Sequence, residues 1–320
     1  MATYKEIYGT NVEVLGSDPS NPVEGQIWYN STSQTLKGYA LVAGSWATSG
    51  PLNTARYTPG NAGTQTAALA FAGLTTPPTA ITLVTESYNG TSWTTLPASL
   101  NTSRAYIQGC GATNTAALAF GGAGVPGLPV SAATESWNGT AWTSVASLNT
   151  ARYDTGAFGT NTAAIAASGY STAPTGNVES WNGTSWAEVN NVNTTRYGMA
   201  AAGIQTAGLI FAGVGGGTAT ESFNGTNWTT VNPLNQSSNE KAGAGTNTAA
   251  LAFGGAPAAV ESWNGTAWAV VNSLNISRQS LGGAGTNTAA LAFGGLIPPQ
   301  TASTEEWSGP AVQTVNITVS

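Results

Sequence analysis

The sequence contains no histidine, which removes the side chain that most often serves as a metal ligand or as a general base near neutral pH. It contains one cysteine, Cys110, so an intramolecular disulfide framework is excluded, and we expect this residue to be a small buried side chain in a strand. Ser–His–Asp and Cys–His catalytic arrangements are excluded as well. We therefore expect a protein that is not an enzyme and that holds no cofactor or metal.

Charge is also scarce: charged residues make up 7% of the chain, only eight residues are basic, and the net charge is −6. Nucleic-acid binding requires a basic face that neutralises phosphates, so we expect no nucleic-acid partner. No run of 18 apolar residues occurs, and the first fifteen residues lack the apolar segment of a secretory signal, so we expect neither membrane insertion nor secretion. The 41% of hydrophobic residues, with 11 tryptophans, are nevertheless sufficient for a packed core.

A degenerate repeat of about 40 to 50 residues occupies most of the chain. The segment TNTAALAFGG occurs at 113–122, 246–255 and 286–295, and weaker copies lie at 64–73, 160–169 and 204–213. Each copy continues with an acidic residue near an aromatic one, and five copies then have Asn-Gly, a tryptophan and a segment similar to LNTAR. A short apolar run that ends in Gly-Gly is typical of a strand buried on both faces, and Asn-Gly indicates a hairpin. The sequence of each copy therefore predicts four strands, and the six copies together predict an all-β fold.

The Asn-Gly pair predicts the register of this hairpin. If Asn138 and Gly139 are the two central residues of a type I′ turn, Trp137 lies opposite Thr140 and Glu135 lies opposite Trp142.

The order of these signals resembles the kelch repeat, in which Gly-Gly ends a strand and is followed by an acidic residue near an aromatic, a tryptophan and an arginine. The resemblance covers roughly residues 51–310 in six copies and implies a six-bladed β-propeller, although the spacing from the aromatic to the tryptophan is shorter than usual for kelch units. In the last copy Val312 stands where other copies have the tryptophan, so we expect a weak outer strand there and expect the strand around Trp46 to lie beside the last blade. The alternative has seven blades, with 26–49 supplying three strands of the extra blade.

One glutamate and one arginine recur in the copies, and we expect them to form a structural ring in which they pair within or between blades and bind backbone groups. An active site needs asymmetry, so repetition in nearly every blade favours a structural role. The fifth copy has Ser238 in place of the arginine, and Lys241 is a candidate substitute. The ring consists of Arg56, Arg104, Arg152, Arg196, Arg278, Glu86, Glu135, Glu179, Glu221, Glu261 and Glu305.

The first fifty residues differ from the repeats. The core P-x-E-G-Q-I-W-Y-N, at 22–30, resembles short modules common near the start of bacteriophage tail-fibre and other virion proteins. This resemblance implies an attachment or oligomerisation module at 1–50, a propeller at 51–320, and a location in a virion that is assembled in the host cytoplasm.

The loop from Gly-Gly to the glutamate is the variable part of the repeat, with spans of 13, 13, 10, 8, 6 and 10 residues, whereas the Asn-Gly hairpin hardly varies. Function concentrates on variable loops carried by a rigid scaffold, and apolar, proline-rich loops favour contact with another protein. We therefore expect one variable face to bind a host receptor, a glycan or a neighbouring virion protein. The candidate binding residues are Ile81, Leu83, Val125, Leu128, Val130, Tyr170 and Ile297.

These observations favour a non-enzymatic fibre or appendage subunit of a bacteriophage virion that displays the propeller for binding. The same hypothesis includes self-association of the chain into a homo-oligomer. One alternative is a capsid- or tail-decorating structural protein without a receptor role. Another is a carbohydrate-active hydrolase, which would need a carboxylate pair such as Glu305 with Glu306, or Asp154 with a neighbour.

Overall fold

The computed structural model describes residues 12–76, 80–124, 129–256 and 259–318. Every regular element in these ranges is a β-strand, which confirms the all-β prediction. The chain forms two compact units, one of Met1–Gly44 with Gly309–Ser320 and one of Ser45–Ser308.

The N-terminal unit contains one four-stranded sheet of its own. Its strands are β1 (Glu13–Leu15), β2 (Ile27–Asn30), β3 (Thr35–Val42) and β30 (Ala311–Asn316), in the order β1-β2-β3-β30. Trp28 is fully buried, and its Nε1 donates to Asp18 Oδ1 at 3.0 Å. The Lys37 ammonium, 2.7 Å away, and the hydrogen bonds from Asn30 and Trp28 lower the pKa of Asp18 to about 2. Trp28 and Asp18 therefore organise the packing of this unit.

The second unit consists of six four-stranded antiparallel sheets, numbered here in chain order, and a small two-stranded one. Sheet 1 contains β5 (Gly60–Gly63), β6 (Ala68–Phe71), β9 (Thr85–Tyr88) and β10 (Trp93–Thr95), while β7 (Leu74–Thr75) pairs with β8 (Ala80–Ile81). Sheet 2 contains β11 (Gln108–Thr113), β12 (Ala116–Phe120), β13 (Thr134–Trp137) and β14 (Trp142–Val145). Sheet 3 contains β15 (Gly156–Gly159), β16 (Ala164–Ala167), β17 (Val178–Trp181) and β18 (Trp186–Val189).

Sheets 4 to 6 repeat this arrangement. Sheet 4 contains β19 (Ala200–Ile204), β20 (Ala207–Phe211), β21 (Thr220–Phe223) and β22 (Trp228–Val231). Sheet 5 contains β23 (Ala242–Gly245), β24 (Ala250–Phe253), β25 (Val260–Trp263) and β26 (Trp268–Val271). Sheet 6 contains β27 (Gly282–Gly285), β28 (Ala289–Phe293), β29 (Thr304–Ser308) and β4 (Ser45–Ser49).

Sheet 6 is completed by a strand from the other end of the chain, as the position of Trp46 predicts. β4 pairs with β29, and Trp46 lies opposite Trp307 with a distance of 5.4 Å between the ring centroids. The strand that contains Val312, β30, leaves the repeats and pairs with β3 of the N-terminal unit. Of residues 26–49, only β4 therefore joins the repeats. The division into units also differs from the predicted boundary at residue 50, because β4 lies in the second unit and 309–320 lie in the first.

The predicted register of the Asn-Gly hairpin is wrong. Trp137 lies opposite Trp142, so four residues rather than two connect the strands. Asn138 does not adopt the positive φ that a type I′ turn requires; only Gly139 does, with φ of 94°. The Oδ1 atom of Asn138 instead accepts the backbone N–H groups of Thr140 (3.0 Å) and Ala141 (2.9 Å).

The first strands of the six sheets consist mainly of glycine and alanine, for example GNAG in β5 and GGAG in β27. Each first strand contacts that of the next sheet, and β27 of sheet 6 contacts β5 of sheet 1. A Cβ atom at Gly109 would lie 2.3 Å from the ring of Phe71 and 2.8 Å from the backbone oxygen of Asn61. Small residues therefore allow the first strands to converge, as in a propeller-like repeat.

Aromatic side chains fill the space between neighbouring sheets, where a tryptophan on the fourth strand of one sheet packs on a phenylalanine of the sheet before it. Trp142 of sheet 2 packs on Phe71 of sheet 1 with ring centroids 4.9 Å apart, and its Nε1 donates to Thr85 Oγ1 at 2.9 Å. Trp93 of sheet 1 packs in the same way on Phe293 of sheet 6 at 4.8 Å. Burial of each such side chain stabilises the fold by roughly 1.5–3 kcal/mol, so the same contact joins successive sheets and joins sheet 6 to sheet 1.

Candidate binding face

The six sheets have two different ends. The loop before each first strand carries the ring arginine, and it pairs with the start of the variable loop, as in the bridges Tyr57–Leu74 and Tyr153–Tyr170. We call this the Arg-loop end. Two tight hairpins of each of sheets 1 to 5, and the first hairpin of sheet 6, lie at the opposite end, which we call the hairpin end. The differences in length between Gly-Gly and the glutamate therefore fall at the Arg-loop end.

The ring arginines pair with glutamates of their own sheets, and these side chains are at most 2% exposed. In sheet 3, Arg152 Nη2 lies 3.1 Å from Glu179 Oε1 and donates to the backbone oxygen of Ala166. Glu179 also accepts the N–H groups of Asn149 and Thr150 in the arginine loop, at 2.6 and 3.2 Å. Burial lowers the pKa of Arg152, and the Glu179 charge opposes that shift. Each glutamate thus fastens an arginine loop to its third strand and faces no cavity.

Sheet 5 replaces the arginine by a different cation. Lys241 Nζ donates to the backbone oxygens of Gly254 (3.0 Å) and Ala259 (2.6 Å). The corresponding carbonyls of sheet 4, Ala212 and Ala219, accept from Arg196. Burial lowers the pKa of Lys241 to about 8. The lysine therefore substitutes for the arginine at these carbonyls, as its proximity to Ser238 in the sequence suggests.

The candidate loop residues lie at the Arg-loop end but are partly buried rather than fully exposed. Leu83 packs against the core that contains Leu100, and Ile81 lies on β8, which pairs with β7. Val130 forms a bridge with Ala123. The remaining described candidates, Tyr170 and Ile297, are also partly buried, and Val125 and Leu128 lie outside the described residues.

Six residues of the arginine loops meet at the centre of the Arg-loop end, and we call them the junction residues. Each stands two positions after the ring arginine or Ser238: Thr58, Tyr106, Asp154, Gly198, Glu240 and Ser280. All six have φ between 50° and 60°, which for a non-glycine residue costs roughly 1–2 kcal/mol. Backbone hydrogen bonds join successive members, such as Gly198 N to Asp154 O at 2.9 Å and Thr58 N to Ser280 O at 2.7 Å. These bonds maintain the left-handed backbone.

A cavity of about 80 Å³ opens at the junction residues, all six of which line it together with Asn61, Gln108 and Lys241. The Asp154 carboxylate receives no hydrogen bond or ion pair from a described residue. Its removal from bulk water, with a smaller contribution from the Glu240 charge, raises its pKa to about 7. Glu240 accepts a hydrogen bond from Ser280 Oγ. The cavity therefore contains two carboxylates without a cationic partner.

A series of tyrosines lies beside this cavity. The ring centroids of Tyr106 and Tyr153 are 5.8 Å apart, those of Tyr153 and Tyr170 are 5.3 Å apart, and those of Tyr170 and Tyr197 are 5.1 Å apart. Burial and neighbouring negative charges raise the pKa of Tyr106 to about 12, so its hydroxyl stays protonated. The rings offer aromatic faces next to the carboxylates.

Other reactive groups have structural partners. Glu305 is paired with Arg278, and Glu306 accepts a hydrogen bond from Tyr88 Oη at 2.5 Å, so the two are not free as an acid–base pair. Cys110 is buried on β11, where burial raises the pKa of its thiol to about 12. Within the described ranges, no three His, Cys, Asp or Glu side chains are grouped so that they could hold a metal ion.

The junction residues were not identified from the sequence, although a pattern in the repeat marks their position. The asparagine three residues before the ring arginine is present in all six copies, for example Asn53 and Asn101, whereas the junction position differs in every copy. A position that is different in every repeat, beside one that never changes, breaks the symmetry of the scaffold.

A scan against protein-family models finds no match for this chain, and a search of curated proteins finds no significant relative. No helix in the described part of the chain is long and apolar enough to cross a membrane. The kelch and virion assignments therefore rest on the resemblances in the sequence.

Proposed function

We propose that the second unit is a closed, six-bladed kelch-like propeller and that the chain is a non-enzymatic binding protein of a bacteriophage virion. The closed arrangement is supported by the contact between β27 and β5, which repeats the contacts between all other neighbouring first strands. It is also supported by the packing of Trp93 on Phe293, which has equivalents between the other sheets, although Trp228 of sheet 4 packs on Phe158 of the first strand of sheet 3.

The concentration of differences at the Arg-loop end is the observation that carries the binding function. The hairpin end is nearly the same in every sheet, whereas the variable loops and the junction residues at the Arg-loop end differ from sheet to sheet. A symmetric scaffold gains specificity only where its copies differ. The Arg-loop end is therefore the surface that contacts a host receptor or another virion protein.

The N-terminal unit is the attachment module of this proposal. It has its own sheet and its own buried tryptophan, Trp28, and its sequence at 22–30 resembles modules of tail-fibre proteins. A separate compact unit is suited to bind the particle without disturbing the propeller.

The location is tested by immunogold electron microscopy of purified phage particles with antibodies against this chain. We expect label on a fibre or another appendage. Label on the capsid or tail tube would support the decorating role instead, and absence of the chain from particles would contradict the virion assignment.

The binding face is tested by a matched pair of aliphatic substitutions in the full chain. Ile81→Ser changes the Arg-loop end, and Ile204→Ser changes an exposed isoleucine at the hairpin end. We expect the purified wild-type protein to compete with phage adsorption to host cells, Ile81→Ser to compete less well, and Ile204→Ser to compete normally. Equal competition by both variants, at equal folded content, would place binding elsewhere.

A further inference from the structure

The carboxylates at the junction cavity differ from the buried ring glutamates, because Asp154 and Glu240 are only partly buried and no described cation pairs with them. The ring glutamates are neutralised by arginine in five sheets, and Glu261 of sheet 5 accepts the N–H groups of Asn235 and Gln236 together with the Asn235 side-chain amide. Asp154 has no comparable donor among the described residues. A carboxylate removed from bulk water without a partner is costly, so a cation that enters the cavity gains the interaction that the protein does not supply.

Lys241 does not supply this interaction. Its side chain lines the cavity, but its Nζ atom is held by the backbone oxygens of Gly254 and Ala259. No ion pair within 4.0 Å involves Asp154 or Glu240 in the described part of the chain. The net charge of −6 further favours the approach of a cationic ligand.

The lining matches an ammonium head group better than a divalent metal ion. Ca²⁺ requires six to eight oxygen ligands that converge on one point, and no three His, Cys, Asp or Glu side chains of the described residues are grouped so that they could hold a metal ion. Two carboxylates, the hydroxyls of Thr58 and Ser280, and the ring of Tyr106 suit a monovalent group with several N–H donors, because an aromatic face attracts a cation.

Cavity size restricts what can enter. The cavity leaves about 80 Å³ of space for small molecules, and at the roughly 10–15 Å³ of such space that one water requires it holds about five to eight waters. An ammonium group with its adjoining methylenes fits this space, and the rest of a longer chain would extend into solvent. We infer that the cavity is a binding site for an alkylammonium group, supplied by a small free amine or by a lysine side chain of a partner protein.

This inference deepens the proposed binding function, because it gives the ligand chemistry of the same face, but it is tested on the purified full chain without virions. Isothermal titration calorimetry with 1,5-diaminopentane is expected to show one site. The uncharged analogue 1,5-pentanediol should not bind. Saturable binding of the diol with equal affinity, or binding of CaCl₂ in place of the amine, would overturn the inference.

Substitutions locate the site. Asp154→Asn and Glu240→Gln remove one negative charge each with little change in shape, and we expect each to weaken amine binding by at least about tenfold, since a charge-assisted contact is lost. Glu188→Gln, at an exposed carboxylate on β18 of the same sheet as Asp154, is the matched control and should leave binding unchanged. Equal affinity of all three variants and the wild type would exclude this cavity.

The pH dependence of wild-type binding provides a measurement that does not depend on the variants. Affinity is expected to rise between pH 5.5 and 7.5 as Asp154, with its pKa of about 7, ionises. The other titratable groups at the cavity are Glu240, Tyr106, Tyr153 and Lys241; burial raises the pKa of both tyrosines, and Lys241 titrates near 8, above this range. A pH-independent affinity would contradict a role for Asp154.

The source of the ammonium group is distinguished by comparing 1,5-diaminopentane with the peptide acetyl-Gly-Lys-Gly-amide. Tighter binding of the diamine indicates a free amine, and tighter binding of the peptide indicates a lysine of a partner protein. If neither binds, the inference fails, whereas the virion and receptor roles remain to be decided by particle labelling and adsorption.

Discussion

Removal of Arg152 distinguishes a structural ring from a functional one. Arg152→Ala leaves the Glu179 carboxylate buried with only the N–H groups of Asn149 and Thr150 as donors, and it leaves the backbone oxygen of Ala166 without its arginine donor. Loss of one partner from a buried ion pair costs roughly 3–5 kcal/mol. We therefore expect a large loss of stability and no change in ligand binding by the protein that remains folded.

The expected change in melting temperature follows from the size of the second unit. Ser45–Ser308 has 264 residues, and unfolding entropy of about 2.1 cal/mol/K per residue gives roughly 0.55 kcal/mol/K. A loss of 3–5 kcal/mol then lowers Tm by about 5–9 °C, which differential scanning calorimetry measures directly.

Two further variants make the interpretation specific. Adding Glu179→Gln to Arg152→Ala removes the unpaired charge and should restore part of the lost Tm. Thr184→Ala changes an exposed, uncharged side chain in the β17–β18 hairpin of the same sheet and should change stability by no more than about 0.5 kcal/mol. A decrease of less than about 2 °C for Arg152→Ala, or lost binding at an unchanged Tm, would refute the structural role.

Three other predictions concern single sheets. Lys241→Leu alone should lower Tm, whereas Ser238→Arg with Lys241→Leu, which copies sheet 6, should restore it in calorimetry. Val260→Thr should raise stability by about 1 kcal/mol in chemical denaturation, because the buried Nε1 of Trp46 has no partner and Val260 stands where four of the other five sheets have threonine. Folding raises the pKa of Asp154 from 3.8 to about 7, so the folded protein retains a proton that the unfolded chain releases. The contribution of Asp154 to the free energy of unfolding should therefore fall by up to roughly 4 kcal/mol between pH 4 and pH 7. Urea titrations of Asp154→Asn should lack this dependence on pH.

Much of the fold follows from local sequence. Apolar runs that end in Gly-Gly become the second strands, and the Asn-Gly segments become hairpins, because these choices depend on neighbouring residues alone. The position of Trp46 also predicts that β4 completes sheet 6, since its spacing to Leu52 repeats that of Trp142 to Leu148.

Other features depend on hydrogen bonds or contacts that local sequence does not specify. The hairpin register depends on whether Asn138 adopts a left-handed backbone or caps the loop with its side chain, and both are compatible with Asn-Gly. The boundary at residue 50 differs because β30 finds its partner, β3, about 270 residues earlier in the chain.

The sequence by itself determined the repeat, its strands and the paired charges, because the same residues recur at the same positions in the copies. Only the tertiary structure decided that Asp154 and Glu240, from different sheets, share one cavity. Each stands at a position that differs in every copy, and nothing nearby in sequence indicates that the two meet. Their proximity arises because glycine and alanine allow the first strands to converge, which brings the six arginine loops to one point.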